Sequence, residues 1–192
     1  MTSLIRRLII RHQTTNPLRG INLMFYLKDL PTEKTLREFR DRYPNLDISA
    51  LKTCTQLLRT GSDLLTAFET ILGKHGLSQG RFLTLIVMNR APNKAISPSV
   101  LAEKVGVKRA TMTGLLDGLE RKGLVERIAH PQDRRKLGIR LTNKGRQLLD
   151  GMLPGYYDQI GKLMTNLSEK ERQELELLLG KVNQGLSTLF NP

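Results

Sequence analysis

The run from Ser97 to Thr142, SPSVLAEKVGVKRATMTGLLDGLERKGLVERIAHPQDRRKLGIRLT, decides how the chain is read. Ile96 to Val105 has the marks of a short helix: Ser97 is a natural cap, and Pro98 fits a first turn, where its missing N–H costs nothing. Val100, Leu101 and Val105 give that helix a core face, and Gly106 makes a turn. Lys108 to Lys122 reads as a second helix, about 22 Å long at 1.5 Å per residue. Leu115, Leu116 and Leu119 can face inward, which leaves Lys108, Arg109, Thr111, Thr113 and Gly114 for an exposed face near its start. Small and polar side chains there let a backbone approach a groove closely. After Gly123 the pattern changes to two short strands, Leu124 to Ile128 and Gly138 to Leu141. They flank a tip that holds His130, Asp133, Arg134, Arg135 and Lys136. Asp133 lies two residues from Arg135, near enough in a bent loop to pair with it and orient it. Two helices, a tight turn and a charged hairpin make the layout of a winged helix-turn-helix.

The elements on either side have a different character. Upstream, Asp47 to Lys74 is a long helix whose Leu51, Cys54, Leu58, Leu65, Phe68 and Leu72 recur at three-, four- or seven-residue steps on one stripe. Leu77 to Ala91 is a second helix with a strongly apolar middle, ended at Ala91-Pro92-Asn93. Downstream, Thr142 caps a helix that Pro154-Gly155 is expected to kink or split, with Tyr156 to Leu167 continuing it. Ser168 with Glu171 forms a capping box for a last helix striped by Leu175, Leu178, Leu179, Val182, Leu186 and Leu189. These outer helices carry more apolar stripe than one small domain needs, and packing across a two-fold axis is the simplest use for it. The expected organisation is a basic N-terminal extension over 1–45, a first dimerisation helix over 46–76, the winged helix-turn-helix over 77–142 and C-terminal dimerisation helices over 143–192. The fold class is mainly α with a small β-hairpin wing.

Charge is concentrated where that geometry can use it. The chain has 192 residues, 31 basic and 18 acidic, for a net of +13, and its pI is near 10.2. Between Lys104 and Arg146 lie twelve Lys or Arg against four acidic residues. A polyanionic partner follows, with double-stranded DNA the reading that accounts for helices and charge together. Residues 1–45 hold nine Lys or Arg against four Asp or Glu. They read either as an arm that touches DNA or a partner subunit, or as a solvated extension; Thr32 to Tyr43 within them is a short helix stopped before Pro44.

Several classes are set aside. The single cysteine, Cys54, cannot form an internal disulfide, so a reducing cytoplasm is the expected compartment. The longest clean apolar run, Phe82 to Met88, is too short to span a bilayer, and no membrane partner is expected. His12, His75 and His130 are scattered and no cluster shows ligand spacing, so neither a metal nor another cofactor is expected. There is no glycine-rich phosphate loop, nucleophile elbow or paired-carboxylate constellation, and an enzyme is not the reading.

The segment 77–145 resembles the multiple antibiotic resistance regulator (MarR) family of bacterial winged-helix repressors. The resemblance is carried by Thr111-Met112-Thr113, by Leu119-Glu120-Arg121-Lys122-Gly123-Leu124-Val125-Glu126-Arg127, and by Pro131 with Asp133-Arg134-Arg135. The exit Leu141-Thr142-Asn143-Lys144-Gly145 completes it, and Asp133 to Gly145 is its most specific part. It implies a cytoplasmic homodimer with interlocking terminal helices, a second helix in the major groove, and a wing arginine in the minor groove, here Arg135 oriented by Asp133. It also implies a pseudo-palindromic operator, released when a small molecule, often an aromatic acid, occupies the crevice between dimer and DNA domains. The long N-terminal extension departs from the family's pattern.

The expected DNA contacts are therefore Lys108, Arg109, Thr111 and Thr113 at bases or nearby phosphates, Ser97 and Ser99 at the backbone, and Arg134, Arg135 and Lys136 at the wing-side groove. Cys54 carries an alternative, a peroxide-responsive switch, because one branch of the family senses hydroperoxides through a single cysteine. On the apolar stripe it reads rather as a small buried hydrophobe. A winged-helix module that binds a partner protein is the other alternative. Tyr156 and Tyr157 are read as packing rather than as an effector site.

Overall fold

The structure is a computed structural model that describes residues 28–130 and 133–190, with 129, 130, 133–137 and 190 given by their backbone alone. The described chain falls into two compact units, 28–69 and 70–190.

In the first unit, helix α1 (Glu33–Arg42) begins where Thr32 Oγ1 accepts from the Thr35 N–H at 3.3 Å. Leu36 is its buried anchor. Helix α2 (Ile48–Gly73) starts behind Asp47, whose carboxylate accepts from the Ala50 N–H at 2.9 Å, so a side chain satisfies one of the first-turn donors. Glu33 ties the two helices together: it accepts from Lys52 Nζ at 2.9 Å and pairs with Arg37 at 3.7 Å. The Lys52 hydrogen bond and charge, aided by Arg37, hold the Glu33 carboxyl below its ordinary range.

In the second unit the order is α3 (Gln79–Asn89), α4 (Pro98–Val105), α5 (Arg109–Arg121), β1 (Val125–His130), β2 (Asp133–Leu141), α6 (Asn143–Leu163), α7 (Glu169–Gly185) and α8 (Ser187–Phe190). The core joins Leu77, Phe82, Leu85 and Met88 to Leu101, Met112, Leu116, Leu119, Val125, Ile139 and Leu149. Apart from Leu77, which precedes α3, each comes from the apolar stripe of its own element, so the 3.6-residue period of α3 to α6 and the alternation of the strands meet in one cluster.

The strands pair antiparallel from Val125↔Leu141 through Ala129↔Leu137, and a bulge after Ala129 brings His130 opposite Asp133. Both strands are longer than the sequence pattern suggests, because pairing is a backbone property and continues into the basic tip. A further bridge joins Ile96 to Ile139, with N–H to O=C distances of 2.9 and 2.8 Å in the two directions. It ties the segment before α4 to the strand that leaves the wing.

Pro154 does not split the C-terminal helix. α6 runs unbroken from Asn143 to Leu163 with Pro154 inside it. The lost ladder bond frees the carbonyl of Asp150, an exposed residue that water can serve, while Met152 and Leu153 stay buried on the other side.

Candidate nucleic-acid interface

The reader is built from α4, its turn and α5. Ser97 caps α4 by accepting from the Val100 N–H at 3.4 Å, and its hydroxyl lies 3.1 Å from that of exposed Ser99. Gly106 closes the turn at φ 75°, a left-handed conformation that a side chain would strain. Lys108 then takes the cap position of α5 without any side-chain cap bond. The first-turn N–H groups of α5 therefore have no side-chain acceptor at Lys108, and a helix start in that state favours an anion.

Lys108, Arg109, Ala110, Thr113 and Gly114 are exposed, while Met112, Leu115, Leu116 and Leu119 are buried. Arg109 with Thr113, and Ala110 with Gly114, stand four residues apart, so one outward face carries all of them. Among the described residues neither Lys108 nor Arg109 has an ion-pair partner. The Thr113 hydroxyl donates to the Arg109 carbonyl at 3.1 Å, and Gly114 opens onto free space. Thr111 is half-buried on the flank of this face. The geometry is thus a smooth cationic helix face with its charges uncommitted.

The model of the MarR family matches residues 77–137. The HTH-type transcriptional repressor YetL of Bacillus subtilis is 36% identical over 161 residues, 84% of this chain and 96% of that protein. The transcriptional repressor MprA of Escherichia coli K12 is 29% identical, over 79% of this chain and 86% of that protein. Among solved structures, Streptococcus pneumoniae FabT in complex with DNA superposes with a TM-score of 0.60 at 27% identity, covering 73% of this chain and 99% of that one. The chain belongs to the MarR family of transcriptional regulators.

In this MarR-family chain Lys108, Arg109, Thr111 and Thr113 lie at the start of α5, just after the turn, whereas Ser97 and Ser99 lie at the start of α4, with Ser97 engaged as its cap. The side chains of Asp133, Arg134, Arg135 and Lys136 lie outside the described residues, and so does the expected pairing of Asp133 with Arg135. The backbone places all four at the start of β2.

Cys54 is not the buried hydrophobe its stripe suggests: the free thiol is exposed. The periodicity identifies a face of α2 but not what covers it. Of the neighbouring cations, Lys52 pairs with Glu33 and Arg59 with Asp63. Tyr156 packs on Phe82 with ring centroids 4.8 Å apart, and burial pushes its phenol up from the ordinary value. Tyr157 is exposed at 6.0 Å from Tyr156. Among the described residues no three His, Cys, Asp or Glu gather into a group that could hold a metal. No helix among them is long and apolar enough to cross a membrane.

Two features escaped the sequence reading. Arg127 of β1 reaches α5 and pairs with both Asp117 and Glu120, the latter at 3.0 Å. The hydrogen bond to Asp117 raises the Arg127 guanidinium further into its charged range against some desolvation. The second is the seat of α6 against the end of α5. Thr142 Oγ1 accepts from the Gly145 N–H at 3.0 Å and donates to the Gly123 carbonyl at 2.8 Å, and Lys144 Nζ donates to the Lys122 carbonyl at 2.8 Å. Lys122 in turn donates to the Gly76 carbonyl. The spacing of Asp117 and Glu120 on one helix face was a visible signal for the first; nothing local announces the second.

Proposed function

We propose that this regulator binds duplex DNA as a homodimer at a pseudo-palindromic operator and represses transcription in the cytoplasm, without catalysing a reaction. The observation that carries this reading is the uncommitted cationic face of α5 at Lys108 and Arg109. Lys108, Arg109, Thr111 and Thr113 serve the major groove, Ser97 and Ser99 the phosphate backbone, and Arg134, Arg135 and Lys136 the flank reached by the wing, with Asp133 orienting Arg135. The repressor YetL and the DNA complex of FabT support the assignment by likeness. Dimerisation is supported by α7, none of whose residues is buried although Leu175, Leu178, Leu179 and Val182 line it and exposed Leu186 follows at its C-cap. A small aromatic acid is the proposed effector that releases the operator.

Selection of genomic fragments with the purified protein tests the reading. A recovered inverted repeat, bound with an affinity that falls steeply with salt, supports it. Fragments without sequence preference, or binding indifferent to salt, would leave a protein-interaction module as the better account. Arg135→Ala is expected to weaken binding to the recovered repeat by about 1 to 3 kcal/mol.

The exposure of Cys54 favours one second reading, a peroxide-responsive switch acting through its thiol. Titrating the protein with an organic hydroperoxide while following operator binding decides it, since an affinity unmoved by oxidation removes Cys54 from regulation.

A further inference from the structure

Arg127 sits on β1 opposite Ile139, at the base of the wing, ten residues downstream of Asp117. Asp117 and Glu120 are three residues apart on α5 and so share a face, and the guanidinium spans them, one nitrogen to each carboxylate. The three side chains are one-third to one-half exposed, at 33%, 48% and 38%. A single pair this wet contributes little to stability, but two carboxylates on one planar guanidinium fix its direction. The acids lie in the second half of α5, beyond the Lys108 to Gly114 segment, and both carboxylates are taken up by Arg127. From this geometry we infer that Arg127 is a positioning residue that locks the wing to the recognition helix, so that the two read DNA at one fixed separation.

The inference rests on the DNA reading proposed above and adds a specificity device to it. With the clamp intact, helix and wing impose a spacing between the bases α5 contacts and the flank the wing contacts. Without it, the hairpin pivots on its remaining attachments, the Ile96–Ile139 bridge among them, and tolerates other spacings.

The experiment uses the full-length protein and the inverted repeat recovered by fragment selection, together with duplexes carrying one base pair inserted between inner and outer parts of each half-site. Wild type is expected to bind the inserted duplexes about tenfold more weakly, the scale of one misread position. R127Q and the neutral double variant D117N/E120Q are both expected to shrink that penalty to about twofold or less, with R127K intermediate. If Arg127 merely screens the two acids from DNA, R127Q weakens binding to every duplex by the same factor and D117N/E120Q behaves as wild type; that pattern overturns the inference, as does an unchanged penalty in both variants. Hydrogen exchange on the free protein supplies a reading independent of DNA. Amides of β1 are expected to exchange faster in R127Q while those of α3 keep their protection, and equal protection of β1 in both proteins overturns the clamp. Failure of the wild type to bind any selected duplex would instead defeat the proposed function and leave the exchange result to judge the clamp alone.

Discussion

Gly145 offers the sharpest test of how the reader is joined to its C-terminal helix. A Cβ on Gly145 would stand 2.2 Å from the Leu124 carbonyl oxygen, 3.2 Å from its carbon and 2.9 Å from Leu141 Cδ1. The oxygen cannot step aside freely, because it also accepts from the Thr142 N–H at 3.1 Å, and Thr142 in turn caps α6 through the Gly145 N–H. Gly145→Ala therefore forces backbone against backbone. Overpacking of this kind costs about 1 to 3 kcal/mol, and loosening the cap adds about 1. Alanine returns about 1 kcal/mol of helix propensity, leaving a net loss of roughly 1 to 3 kcal/mol. For a chain of this length that corresponds to a melting temperature lower by roughly 2 to 12 °C. The internal control is Gly151→Ala in the same helix, where nothing stands within 4 Å of the added atom. It is expected to raise the melting temperature by about 2 to 4 °C. Thermal unfolding followed by circular dichroism at one fixed protein concentration measures both. Two shifts of the same sign, or a Gly145→Ala protein melting within 2 °C or so of wild type, would refute the close approach of α6 to Leu124.

Three further outcomes follow from the same structure. Arg109→Ala is expected to weaken operator binding by about 1 to 3 kcal/mol without a change in melting temperature, whereas Lys108→Gln lowers affinity for all duplexes and reduces the salt slope by about 1, both read by titration across salt concentrations. Gly114→Ala separates folding from binding: its added methyl meets nothing within 4 Å, so the helix gains up to about 1 kcal/mol, while the same methyl on the DNA-facing side lowers operator affinity. Glu171 supplies a pH signature, since the Ser168 hydroxyl and N–H each donate to its carboxylate at 2.7 Å and hold its pKa below the ordinary 4.5. A carboxyl depressed in the folded state contributes stability that is present above its unfolded value and lost as pH falls through its folded one, so Glu171→Gln is expected to lower the melting temperature at neutral pH and to converge with wild type below pH 4.5.

What could be read from the sequence was what the chain encodes locally. Ser97, Thr142 and the Ser168–Glu171 box announce helix starts because a cap acts within three residues, and Gly106 announces a turn because a left-handed φ excludes most other residues. The exposed start of α5 was legible for the same reason: leucines at helical spacing dispose of one face, and Lys108, Arg109 and Thr113 inherit the other. Tertiary facts were not legible. Pro154 carries the sign of a break, yet the helix continues through it, and the residue whose carbonyl loses its ladder partner, Asp150, is an exposed one. Gly145 looks like any glycine in a first turn until Leu124 is laid against it. Arg127 could be counted as a charge but not matched to Asp117 and Glu120, since that depends on how β1 leaves Gly123.

The stripes show the same limit in energetic form. Leu72 and Leu149 lie on helical stripes and are almost wholly buried, at 1% and 0% exposure, whereas Leu178 and Leu179 lie on an equally regular stripe and remain 51% and 41% exposed. Periodicity cannot separate the two cases, because it registers that a face is apolar and not whether the same chain covers it. Completing the burial of a half-exposed leucine is worth roughly 1 kcal/mol, half the value for a whole side chain. Leu175, Leu178, Leu179 and Val182 of α7 with Leu186 at its C-cap, contributed twice across a two-fold axis, thus offer about 10 kcal/mol, within the range that association costs in lost freedom. On that scale α7 alone makes at most a weak dimer. A stable one needs more apolar surface than α7 offers.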